Sequence, residues 1–242
     1  MAHPRSGSTV LCLAIAQRTP ISFEPFNPAW PEGQRLRNKV GSICQFPRST
    51  DELDEWLSHL DQDGFKLQTD CFFNDDLNTH IIQKYKPIFI YRKNLLHAAL
   101  SILIAQITGK WQQYEALEEK PSDDELYSAL KRYRQIKTVG KISLDAVRNA
   151  IEKLEFAQAR IFRHIKQRSD SLVLTYEDLY CDNYENRLEA INKVMDFLEL
   201  ERLTEFSVLK EDVKLTDYSV IENLEEIVAT IGLEYQFECP TG

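Results

Sequence analysis

Short apolar runs alternate along this chain with segments whose hydrophobic residues recur every three or four positions. Pro87-Ile-Phe-Ile-Tyr91 and Ser171-Leu-Val-Leu-Thr175 are short and rich in β-branched or aromatic residues, and they predict strands buried on both faces. Weaker runs at Val40 to Phe46 and Gly64 to Leu67 predict two more. From Leu144 onward, Val147, Ile151, Leu154, Ile161 and Ile165 keep helical spacing, with charges on the opposite face. Leu188, Ile191, Met195 and Leu198 repeat that pattern, as do Val220, Leu224, Ile227 and Ile231. Asn94 to Thr108 is apolar almost all round, which predicts a buried helix directly after the Pro87–Tyr91 strand. Ser49-Thr-Asp-Glu52 and Ser122-Asp-Asp-Glu125 carry the capping-box pattern and open further helices.

Strands that alternate with helices layer as α/β, so the expected fold is a central parallel sheet flanked by helices. There is no internal repeat and no Gly/Ser linker, and residues 1–242 read as a single domain. The polar, charged stretch from Gly109 to about Lys141 reads as a peripheral helical excursion between core units.

Charge narrows the function. Lys and Arg number 29 against 38 Asp and Glu, a net −9, which argues against a nucleic-acid or anionic-membrane partner. No stretch approaches the roughly 18 apolar residues of a membrane span, and the first residues have no signal-peptide pattern. Five cysteines without a C-x-x-C pair read as thiols in a reducing compartment, so a cytoplasmic location is expected. The histidines lack metal-ligand spacing, and no metal is expected.

His3-Pro4-Arg5-Ser6-Gly7-Ser8-Thr9 precedes the apolar run Val10 to Ala16, and packs a guanidinium, three hydroxyls and a glycine into a helix start. Backbone N–H groups of such a turn converge on an oxyanion, aided by the helix dipole. The second glycine and the lysine of G-x-x-x-x-G-K-[ST] are missing, which disfavours metal-dependent ATP chemistry. A second basic turn, Arg92-Lys93, ends the Pro87–Tyr91 strand, where open α/β sheets bind ligands. Ser101 follows Arg92 by nine residues, and either Arg92 or Lys93 is placed to make the closer anion contact.

Pro-Arg-Ser-Gly-Ser-Thr before an apolar helix resembles the 5′-phosphosulfate loop of sulfotransferases that use 3′-phosphoadenosine 5′-phosphosulfate, in its bacterial and carbohydrate-type form. Arg92 with Ser101 resembles that family's 3′-phosphate motif, and Tyr176-Glu-Asp-Leu179 followed by a helix ending Phe197-Leu-Glu-Leu200 resembles a third. The motifs run in the family's order from about residue 3 to 200, although only Met1-Ala2-His3 stands where the family has its first strand.

The resemblance implies a P-loop-like sulfotransferase fold and a cofactor bound through Arg5, Ser6, Gly7, Ser8, Thr9, Arg92, Ser101 and Tyr176, the last near the adenine. Arg5 is expected at the leaving phosphate, and Lys66 resembles a strand-end lysine near the transferred group. Glu24, in Phe23-Glu-Pro-Phe26, resembles the family's general base, with the flanking aromatics reducing its hydration; His80 and His97 are the runners-up. The acceptor would be a small molecule, carbohydrate or lipid, and apolar loop residues such as Phe23, Phe26, Trp30, Phe72 and Phe73 allow sugars, lipids or phenols alike. Two alternatives remain: a non-catalytic nucleotide-binding module of the same fold, and a P-loop-like nucleotide kinase.

Overall fold

The computed structural model describes residues 1–2, 6–27, 31–41, 46–60, 62–68, 74–109, 138–180, 183–206 and 218–232. In chain order the elements are α1 (Ser8–Ala16), β1 (Ile21–Ser22), α2 (Pro31–Val40), α3 (Thr50–Ser58), β2 (Gly64–Phe65), α4 (Asp75–Lys84), β3 (Ile88–Tyr91) and α5 (Leu95–Thr108). Then follow α6 (Leu144–Gln167), β4 (Leu172–Thr175), α7 (Tyr176–Leu179), α8 (Tyr184–Phe197), a 3₁₀ turn (Tyr218–Val220) and α9 (Leu224–Ile227), which runs on as a π-helical turn (Val228–Gly232).

The fold is mixed α/β, but two small parallel sheets stand where one central sheet was expected. β1 pairs with β2 through Ile21–Gly64 and Ser22–Phe65, and β3 pairs with β4 from Ile88–Leu172 to Tyr91–Thr175. Ala2 joins them by single bridges to Gln68 and Ile90, so the pairing order is β1, β2, Ala2, β3, β4. The Ala2 N–H donates to Leu67 O (2.9 Å), and the Met1 carbonyl accepts from Ile90 N (3.0 Å). A one-residue bridge cannot hold a ladder, which is why the sheet divides at its middle.

Each side of this layer has its own core. One packs α1 and α8 on β3 and β4 through Val10, Leu11, Ile90, Leu174, Ile191 and Met195. Another packs α5 on α6, where Leu96, Leu100 and Ile104 meet Val147, Ile151 and Leu154, and the C-terminal turns add Ile227 and Ile231. A third gathers Phe26, Leu36, Trp56, Leu67, Leu77 and Ile81 around α2, α3 and α4.

Local chemistry explains most element ends. Asn94 accepts from the His97 N–H and caps α5, whose far end closes on Gly109 at φ +64°. Ser143 caps α6 through the Ala146 N–H, and the buried stripe Val147, Ile151, Leu154 and Ile161 follows the expected spacing. Ser49 accepts from Glu52 N, while the Glu52 carboxylate takes the Arg48 N–H, one residue short of a reciprocal box. Val40 belongs to a helix and not to a strand: Pro31 sits at a first helical position, and long polar side chains fill the next turns. Residues 42–45, the Ser122–Glu125 box and most of the Gly109–Lys141 excursion lie outside the described residues. No helix among the described residues is long and apolar enough to cross a membrane.

Candidate functional site

The parallel strands deliver polar side chains to one end of the layer. Glu24 stands two residues beyond β1, Lys66 follows β2, Arg92 follows β3 and Tyr176 follows β4. The start of α1 reaches the same end, because the chain passes from the Ala2 bridge into the helix at Ser8. The carboxyl ends of parallel strands, around a helix N-terminus, are where open α/β layers bind ligands.

Gly7 caps α1 at φ +79°, and a β-carbon there would stand 2.4 Å from Tyr180 Cε2 and 3.1 Å from Tyr176 Cδ2. Conformation and space therefore both require glycine. The first turn holds no acidic residue, so no carboxylate within it offsets the positive end of the helix. Ser6 is fully buried with no hydrogen-bond partner for its Oγ, and Ser8 is buried beside it.

On one flank of this turn lies an ion pair. Lys66 Nζ stands 2.6 Å from Glu24 Oε1 and donates to Thr9 Oγ1 at 3.1 Å, with both charged side chains buried. Gln68 Nε2 donates to the same Oε1 (2.6 Å), and Asn27 Nδ2 donates to Oε2 (2.9 Å). Glu24 adopts a left-handed backbone at φ +53°, a conformation that costs about 1–3 kcal/mol and persists where neighbouring contacts over-determine it.

On the other flank lies a cation among aromatics. The Arg92 guanidinium sits 3.9 Å from the centroid of the Tyr176 ring, and its Nη2 donates to Tyr218 Oη at 3.3 Å. Tyr180 stacks on Tyr176 at 4.3 Å and donates from its hydroxyl to Gly7 O (3.4 Å). A ring cannot hold both neighbours on one face at these distances, so Tyr176 is sandwiched between Arg92 and Tyr180. Burial works against the Arg92 charge, and the surrounding Tyr218, Tyr176 and Glu177 outweigh it, holding the guanidinium above its ordinary pKa. Tyr218 also donates to His97 O (3.0 Å), and its ring lies 4.9 Å from the imidazole. Burial first, then the Arg92 charge, pushes the His97 pKa down to about 4.

The expected residues thus converge in two groups. Gly7 to Thr9, Lys66 and Glu24 form one, and Arg92 with Tyr176 the other, joined through Gly7 and Tyr180. Of the two basic residues in the turn, Arg92 is buried and Lys93 is exposed. The Glu177 carboxylate takes the backbone N–H groups of Lys93 and Asn94. Ser101 is buried on α5, one turn beyond His97 on the same face. His80 lies elsewhere, with Nε2 on Asp54 Oδ1 beside Lys84 on α4. Phe26 is fully in the core, stacked on Trp56, and walls nothing. Arg5, Trp30, Phe72 and Phe73 lie outside the described residues.

Four partners went unnoticed in the sequence: Gln68, Asn27, Tyr180 and Tyr218. Gln68 stands two residues from Lys66, the period that puts strand side chains on one face. Tyr180 stands four from Tyr176, the period of a helix face. Tyr218 has no local signal.

A cavity of about 520 Å³ opens at the opposite end of the layer, against strand starts Ile21, Gly64 and Ile88, with Ser8 and Lys66 as its only shared walls with the site. Among the described residues no group of three or more His, Cys, Asp or Glu side chains is placed to hold a metal. Comparison of the chain with protein-family models, with curated proteins and with solved structures returns no match.

Proposed function

We propose that the protein is a sulfotransferase, moving a sulfuryl group from 3′-phosphoadenosine 5′-phosphosulfate to a hydroxyl or amine acceptor. The observation that carries this reading is the pair of buried cations, Lys66 and Arg92, flanking the uncapped start of α1. Two separated cation sites around one helix N-terminus suit a ligand with phosphate groups at both ends. The pairing order β1, β2, Ala2, β3, β4, with the glycine turn leading from its middle into α1, supports a P-loop-like arrangement.

In this reading the α1 turn, the Ser6 and Thr9 hydroxyls and Lys66 take the 5′-phosphosulfate, with Arg5 assigned there from sequence alone. Arg92 takes the 3′-phosphate, with Ser101 behind it. Attack by the acceptor oxygen forms its bond to sulfur as the bond from sulfur to the bridging phosphate oxygen breaks. The departing electron pair stays on the phosphate, beside Lys66 and the helix N-terminus. The acceptor proton passes to Glu24. Three donors already bond that carboxylate, which leaves room for one more among its four acceptor positions. Tyr176 contacts the adenine only by its edge, or after Arg92 turns away from its face.

A nucleotide-binding module without turnover is the second reading, favoured by the tight engagement of Glu24. Thermal stabilisation tests the donor site shared by both. Adenosine 3′,5′-bisphosphate raises the Tm more than AMP or ATP, with about 2.7 kcal/mol of stabilisation at a hundredfold excess over Kd. An AMP shift as large as that of the bisphosphate removes the 3′-phosphate role of Arg92. Sulfate transfer to any member of a hydroxyl-acceptor panel then separates enzyme from module.

A further inference from the structure

Arg92, Tyr218 and His97 form one cluster in which a cation, a phenol and an imidazole touch in series. We propose that His97 is a positioning residue of the Arg92 anion site, and that a phosphate bound at Arg92 draws a proton onto its imidazole. The proposal rests on the donor reading above and extends it to how the site handles charge.

Without a ligand, the half-buried imidazole, its Nε2 shielded from solvent, lies beside a buried guanidinium. Both conditions oppose a second positive charge, and His97 stays neutral throughout the physiological range. A phosphate dianion at Arg92 adds two negative charges beside the guanidinium. The field that repelled a proton from His97 then attracts one, and the imidazolium holds the bound anion by its charge. Tyr218 keeps the two in register, since its hydroxyl accepts from Arg92 and donates to the His97 carbonyl. The Glu177 carboxylate also acts on Arg92, and it is present with or without the phosphate. Glu177 is engaged by the backbone of Lys93 and Asn94, and the Lys93 side chain is exposed. Among the described residues, Arg92 is the charge that acts on His97.

The sign follows from linkage. A group whose pKa rises on binding takes up a proton, so affinity is highest below the free-state value of about 4, falls by at most about tenfold per pH unit between the free and bound values, and levels off above the bound one. Calorimetric titration with adenosine 3′,5′-bisphosphate, in two buffers of different ionisation enthalpy between pH 5.5 and 8, counts the protons. The nucleotide's own phosphates contribute equally to the unaltered protein and to His97→Gln, so the difference belongs to the imidazole. The expected result is an uptake approaching one extra proton in the unaltered protein, with a steeper loss of affinity toward high pH. Nitrogen-15 shifts of the His97 ring provide a second measurement that needs no variant. They move from neutral to imidazolium values at pH 6 only on saturation with the nucleotide. Equal proton uptake by both proteins, or a ring still neutral at saturation, overturns the role of His97 and leaves the donor reading intact. Failure of the nucleotide to bind at any pH overturns both.

Discussion

The two flanks of the α1 turn each bury a basic side chain, and they treat it in opposite ways. Lys66 is matched by a buried carboxylate at 2.6 Å, and that carboxylate is held in turn by Gln68 and Asn27. Arg92 lies between rings, with the Tyr176 face beneath it and the Tyr218 hydroxyl beside it. An ion pair whose hydrogen bonds are mutual is set in place before a ligand arrives, and presents Lys66 and Glu24 at fixed positions. A guanidinium held against one aromatic face and a phenol hydroxyl, where its charge is favoured in spite of burial, offers an arriving anion a fork of charged donors. The Lys66 flank is therefore the rigid half of the site and the Arg92 flank the responsive half.

The largest expected effect comes from breaking the rigid half. Lys66→Ala leaves the Glu24 carboxylate buried beside two amide donors and no countercharge. Loss of one partner of such a pair costs about 3–5 kcal/mol of stability, read from the denaturant midpoint. The double variant Lys66→Met, Glu24→Gln removes both charges and recovers most of that loss. If the single variant is as stable as the parent, the ion pair is not what holds the end of β2 to β1.

Next in size is the contact that joins the halves. Gly7→Ala meets a left-handed backbone and a tyrosine ring 2.4 Å from the new methyl. The strain costs about 2 kcal/mol, and relief by moving Tyr180 unstacks Tyr176 and loosens Arg92. Tyrosine fluorescence and Tm, measured together, follow both consequences. A variant of unchanged stability means that the loop and the tyrosine pair separate freely.

How much of this was legible in the sequence depends on the range of the interaction. Local signals carried well. The short apolar runs Ile88–Tyr91 and Leu172–Thr175, the apolar stretch Asn94 to Thr108 and the helical spacing from Leu144 specify elements within a few residues, and those elements stand where the pattern puts them. Arg92 and Gly7 were also visible from the strand end and helix start around them, whereas Glu24 and Lys66 were singled out by the family resemblance. The partnership between Lys66 and Glu24 was not, since it spans 42 positions (66 minus 24) and depends on how β1 pairs with β2. Tyr218 reaches Arg92 across 126 positions, from a turn whose packing is set by Ile221 and Ile227 against α5 and α6. The division of the sheet at the single-residue Ala2 bridges depends in the same way on pairing between distant segments.

The smallest effect on stability, and the sharpest on binding, is expected from the responsive half. Arg92→Met keeps an unbranched side chain of comparable length, whose apolar stem still covers the Tyr176 ring. It gives up a buried cation–π contact of about 2 kcal/mol and one hydrogen bond to a neutral phenol of about 1 kcal/mol. Against that, it removes the desolvation cost of a buried charge, so the net loss is about 1 kcal/mol or less. Tyr218 is not left orphaned, because its hydroxyl still donates to His97 O. Affinity behaves otherwise. A phosphate that loses a charged donor loses about 1.5–3 kcal/mol, which weakens adenosine 3′,5′-bisphosphate roughly tenfold to hundredfold and leaves AMP nearly unaffected. Denaturant unfolding and nucleotide titration on the same preparation read the two quantities together. Stability reduced as far as in Lys66→Ala, with bisphosphate affinity unchanged, would make Arg92 the structural cation and reverse the assignment of the two flanks.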